Sequence, residues 1–84
     1  MITFKSIPEM YEKEISGQKN NTVRKLDPQD MRCFELAQIA ESSLYDEVEG
    51  FKIKIKKSGT EEFFERSIKD VSFWDGIWII TWRC

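Results

Sequence analysis

The sequence predicts a small α+β domain whose sheet curls or partly closes into a barrel, with elements in the order β-α-β-α-β-β-β. Three observations predict it. Ser6-Ile7-Pro8-Glu9 and Asp27-Pro28 are helix-start signals, each followed by apolar residues at three- and four-residue spacing. After Gly50 the apolar period changes to two. Asp75-Gly76 then separates the last two β-prone runs, as the turn of a tight hairpin does.

Each element follows from its residues. Ile2-Thr3-Phe4 is short, apolar and β-prone, a first strand. The helix after it has Ser6 as cap, Pro8 in the first turn and Glu9 at capping-box spacing. Ile7, Tyr11 and Ile15 fall on one face with Met10 beside them, and Glu9, Glu12, Lys13 and Glu14 are expected to face water. Gly17 closes the helix in the left-handed conformation that suits glycine. Asn21 to Arg24 forms a second strand, with Val23 expected inward and Thr22 and Arg24 on the other face.

Asp27 caps the second helix, and Asp30 adds favourable charge near its start. Cys33, Leu36, Ala37, Ala40 and Leu44 make its apolar stripe, widened by Met31 and Phe34, and the helix should fade near Ser42-Ser43. Tyr45 to Gly50, with Asp46, Glu47 and Glu49, is an acidic connection. Phe51, Ile53 and Ile55 alternate with Lys52, Lys54 and Lys56, a half-buried strand with a lysine outer face. Lys57 to Thr60 is a turn, Glu62 to Trp74 a long strand with a slip near Lys69-Asp70, and Ile77 to Arg83 the last strand. Trp78, Ile80 and Trp82 share one face of it and Ile79 and Thr81 the other, a pattern expected of a strand covered on both sides.

Composition bounds the function. Eighty-four residues make one domain, 1–84, near the lower size limit for a self-supporting core, and the 13% aromatic content means large rings fill much of it. A net charge of -2 excludes a generally basic nucleic-acid coat, so polyanion binding must come from a local patch. The absence of histidine excludes histidine triads and histidine-containing zinc sites. Cys33 and Cys84 form neither a disulfide framework nor a metal pattern, and no cofactor motif is present. The start of the chain has no signal-peptide pattern and no apolar run approaches a membrane span, so a cytoplasmic, reduced protein is expected.

The chemistry-bearing stretch is Gly17 to Arg24, which sets a glycine, two cations, three amides and a hydroxyl between a helix and a strand. Composition alone favours a helix cap leading into an exposed strand. The alternative is a ligand site formed by Gly17, Lys19, Thr22 and Arg24, for a polar, anionic or nucleobase-bearing ligand. Thr22 as nucleophile would need a base, and a partly desolvated Lys19 can serve, with Arg24 or the backbone at Lys19 as donor to an oxyanion. Glu61, Glu62 and Glu65 can supply acid or base, or simply be a solvated face. The lysine row can contact phosphate or keep a strand soluble. Trp74, Trp78 and Trp82 can stack bases, but core is expected for at least two of them.

The stretch Gly17-x-Lys19-x-x-Thr22-x-Arg24 resembles the G-x-K-x-x-x-x-R signature of ASCH domains, a PUA-like β-barrel superfamily. Small bacterial ASCH proteins that hydrolyse acetylated cytidine carry I-T-F near the start and Thr at the same place in the signature, as Ile2-Thr3-Phe4 and Thr22 do here. The last strand, Trp78 to Trp82, also fits the family's closing strand. The resemblance covers roughly the first third of the chain. It departs where Asp27 to Ser43 is helical instead of a Gly-Asp turn and strand, and no glutamate is carried over. It implies a cleft for RNA, a nucleotide or a nucleoside. In the amidohydrolase alternative it implies Lys19 as base and Thr22 as nucleophile. A third alternative is a small phage-like accessory protein that binds another protein through its aromatic meander.

Overall fold

A computed structural model describes residues 1–43 and 50–83. The elements are β1 (Ile2–Ser6), α1 (Pro8–Ile15), β2 (Asn21–Lys25), α2 (Arg32–Ser43), β3 (Lys52–Lys57), β4 (Phe63–Trp74) and β5 (Ile77–Trp82). This is the expected order. The expected acidic connection at 45–49, Leu44 and Cys84 lie outside the described residues.

The five strands form one mixed sheet in the order β1-β3-β4-β5-β2. β3, β4 and β5 are an antiparallel meander, β1 joins β3 in parallel, and β2 joins β5 antiparallel. β4 does two jobs along its twelve residues. Its first part, Phe63 to Ser67, pairs with β3, and its second part, from Ile68, pairs with β5. The register slips between Ile68 and Asp70, where a bulge adds twist and bends the strand. The two halves of the sheet therefore curl towards each other as a half-barrel. The β4–β5 turn holds Asp75 at φ 50° and Gly76 at φ 79°, with Trp74 paired to Ile77. Two positive φ values are what a two-residue type I′ turn demands.

The concave face carries the core. Ile2, Phe4, Ile53, Ile55, Phe64, Ile68, Val71, Trp78, Ile80 and Trp82 come from the strands, Tyr11 from α1, and Leu36 and Ile39 from α2. Trp78 and Trp82 are thus core, and Trp74 is exposed.

Several expectations are corrected. Ser6 ends β1 and does not cap α1, whose N-cap is Ile7 without a side-chain cap bond. Asp27-Pro28 makes a turn, with Asp27 Oδ1 accepting from Gln29 N at 2.8 Å, and α2 begins only at Arg32. Asp30 supplies the side-chain acceptor for the Arg32 amide at 2.9 Å. Met31, which precedes α2, is exposed, and so are Phe34 and Ala37, because the face that α2 turns to the sheet centres on Leu36 and Ile39. In α1 only Tyr11 of the expected stripe is buried, and the residue buried with it is Glu14, three positions on and one turn away. β2 is inverted: Thr22 is buried and Val23 exposed. The outer face of β5 is not fully covered, since Ile79 is exposed.

Candidate functional site

Gly17 has φ +88°, the left-handed conformation expected of it. The turn it makes lets Lys19 N donate to Lys13 O at 3.0 Å. The loop is thereby folded back under α1, and Lys19 Nζ comes within 3.7 Å of Glu14 Oε2. Glu14 is 1% exposed, and its other oxygen has no hydrogen-bond partner among the described residues. Lys19 retains 27% side-chain exposure. The ion pair thus has one end in the interior and one at the surface. Because the Lys19 amide is spent on Lys13, it is not an oxyanion donor, contrary to the expectation.

β2 follows directly. Thr22 and Arg24 are two residues apart and so share a face. Arg24 Nε donates to Thr22 Oγ1, Nη1 to Lys5 O and Nη2 to Ser6 Oγ, each at 2.9 Å. β1 has β3 on one side only, which leaves carbonyls of its other edge without strand partners. Arg24 supplies a donor at Lys5, and Arg32 Nη1 supplies another at Thr3 O, 3.0 Å away. Both guanidinium groups also lie over the Phe4 ring, at 5.0 and 4.6 Å from its centroid. Arg24 thus spans the open seam of the half-barrel, and Arg32 serves the free edge of β1 from the start of α2. Burial lowers the Arg24 pKa from its ordinary value, and the Glu14 charge opposes that shift.

Lys19, Thr22 and Arg24 line one cavity of about 220 Å³ with Lys5, Ser6, Ile7, Met10 and Val23. Gly17 shapes the turn and is not part of the wall. Glu14, missed in the sequence, stands behind Lys19. Its signal was its place on the helical face of Tyr11, where a carboxylate needs a partner. Glu61, Glu62 and Glu65 are all exposed, and Glu62 pairs with Lys57 at 3.4 Å. A second, apolar cavity of about 320 Å³ opens between α2 and the β4–β5 hairpin, lined by Cys33, Phe34, Phe73 and Trp78 among others. Among the described residues no cluster of three or more Cys, Asp or Glu suits a metal, and no helix is long and apolar enough to cross a membrane.

The cavity thus offers an ammonium with a carboxylate behind it, two hydroxyls and a guanidinium whose bonds are largely internal. It can receive a small polar group with hydrogen-bond acceptors, and it holds a hydroxyl and an amine in one wall. No family model and no curated protein matches the chain.

Proposed function

We propose that the chain is an ASCH-like, PUA-like module that binds RNA or a nucleotide-like ligand at the Gly17–Arg24 loop. The observation that carries this reading is the convergence of Lys19 and Thr22 in the wall of one cavity, beside Lys5 and Ser6. Lys19 donates to a base carbonyl or a phosphate oxygen. Thr22, whose oxygen already accepts from Arg24, is left with its hydroxyl proton to donate to the ligand. Arg24 is a positioning residue: it holds Thr22 and ties β2 to β1. Titrating free nucleosides and mononucleotides by calorimetry tests the reading. Wild type binds, and Lys19→Ala weakens binding by about 1–3 kcal/mol, the range for a hydrogen bond to a charged group. Absence of binding by the wild type, or equal affinity of Lys19→Ala, overturns it.

The second reading, an amidohydrolase on an acylated nucleoside, rests on Lys19 and Thr22 lining the wall of the same cavity. A lysine that acts as base has to part with its extra proton, and the ion pair with Glu14 opposes that. Thr22 is then the nucleophile on the same cavity.

A further inference from the structure

β3 is an interior strand, paired on one side with β1 and on the other with β4. Its lysines therefore guard no edge. Lys52, Lys54 and Lys56 alternate with the buried Ile53 and Ile55, so all three stand on the convex face. Cross-strand register extends the row. Lys5 of β1 lies opposite Lys56, and Lys56 lies opposite Phe63 of β4. Neighbouring strands are roughly 4.8 Å apart, so two ammonium stems and an aromatic ring stand side by side across three strands.

The arrangement costs stability. Lys5 and Lys56 are like charges directly opposite each other, and such pairs are destabilising. Phe63 is 48% exposed. None of Lys5, Lys52, Lys54 and Lys56 makes an ion pair among the described residues, whereas Lys57, on the opposite parity, pairs with Glu12 at 3.0 Å and Glu62 at 3.4 Å. Glu65, opposite Lys54, is the one acid set among them by register. A chain of net charge -2 thus gathers four lysines on one sheet face around an exposed ring. Lys54 Nζ lies 4.0 Å from the Phe63 ring centroid.

We propose that this convex face of β1, β3 and β4 binds single-stranded nucleic acid, with Phe63 as the stacking ring and Lys5, Lys52, Lys54 and Lys56 as phosphate contacts. A charged row alone suits any polyanion. The ring in the middle of it suits an unpaired base, because every base has a face to stack. Lys54 shifts off the ring when a base arrives and meets the neighbouring phosphate. Lys5 also lines the Lys19–Thr22 cavity, so a strand crossing the face leads towards it. The proposal stands independently of the cavity's role.

The test is fluorescence anisotropy of the full chain with an end-labelled oligouridylate of about 12 nucleotides, within the site sizes seen for such sheets. The logarithm of the binding constant is expected to fall with the logarithm of salt at a slope of about -2 to -3, since each phosphate contact contributes about 0.7. Lys5→Ala and Lys56→Ala each reduce that slope by about 0.7. Phe63→Ala weakens binding at least about fivefold, and Phe63→Trp restores it. Circular dichroism verifies that each variant is folded. No binding by the wild type overturns the proposal. So does Phe63→Ala binding as well as wild type, or inorganic polyphosphate or anionic vesicles competing as well as the oligonucleotide. Free nucleosides probe the cavity separately, so loss of oligonucleotide binding with nucleoside binding kept, or the reverse, tells the two readings apart.

Discussion

Arg24 Nη1 lies 2.9 Å from the main-chain oxygen of Lys5, and with the Nη2 bond to Ser6 Oγ that contact ties together the two terminal strands of the sheet. A full β1–β2 ladder would close the barrel with backbone bonds. Here a side chain does it, and the gap left beside it is the cavity of Lys19 and Thr22. Closure and site therefore depend on the same residue.

Replacing Arg24 by lysine tests this. Lysine keeps the charge but loses the planar fork that reaches Thr22, Lys5 and Ser6 together. Arg24→Lys should destabilise the fold by about 1–3 kcal/mol in urea unfolding, since buried acceptors lose their donors. Ligand binding should weaken as well, because Thr22 is no longer held.

The Glu14–Lys19 pair gives an asymmetric prediction. Lys19→Ala leaves a buried carboxylate without its cation. The expected cost is about 2 kcal/mol, below the range for a fully buried pair because Lys19 is partly exposed and 3.7 Å exceeds a hydrogen bond. Glu14→Gln removes the charge with little change in shape, and should cost less than about 1 kcal/mol. The double variant should be more stable than the sum of the singles predicts, as a double-mutant cycle by chemical denaturation will read.

Asp30 sets a pH window. Hydrogen bonds from the Arg32 side chain and amide lower its pKa from 3.8 to about 2. A folded value below the unfolded one contributes stability that is present above about pH 4 and is lost as the pH falls towards 2. Asp30→Asn should therefore lower Tm at pH 6, and the gap to wild type should narrow as the pH approaches 2. A gap that stays constant across that range would contradict the Arg32 contact.

The β4–β5 turn is a local prediction. Gly76 sits at φ 79° with open space around its Cα. Gly76→Ala meets no clash, so its cost is backbone strain alone, about 1 kcal/mol by thermal unfolding. Gly76→Asn, which tolerates this conformation better, should cost less.

This turn was legible in the sequence because its geometry admits few residue pairs, and Asp-Gly is one of them. The slip in alternation near Lys69 likewise announced the bulge. Other features had no local signal. The parallel pairing of β1 with β3 joins segments some fifty residues apart, and nothing in Ile2-Thr3-Phe4 names its partner. Thr22-Val23-Arg24 has β propensity on either face, so sequence favoured the apolar Val23 as the inward residue. The unpaired carbonyls of β1 decided otherwise, because they need Arg24. In the site, Lys19, Thr22 and Arg24 were legible as a cluster. Glu14 was read as facing water although it shares the face of Tyr11, because its burial depends on how the Gly17 turn brings Lys19 back under the helix.

The last prediction separates binder from enzyme. In the hydrolase reading, Lys19 in its neutral form takes the proton of Thr22 Oγ. That oxygen attacks the acyl carbon of an acetylated cytidine. The proton goes on to the departing amino group as the amide bond breaks, and water then releases acetate from Thr22. Such a pair acts as a unit, so Thr22→Ala and Lys19→Ala should each reduce turnover to background, and combining them should lose nothing more. Glu14→Gln, which removes the carboxylate that opposes loss of the Lys19 proton, should leave the rate undiminished. Chromatographic detection of free cytidine reads the wild type and all four variants. Release that survives Thr22→Ala would remove this mechanism. A wild type that binds the acetylated nucleoside without releasing cytidine would leave the cavity a recognition site, in which Thr22 serves as hydrogen-bond donor and Lys19 as the cation that meets the ligand's acceptor.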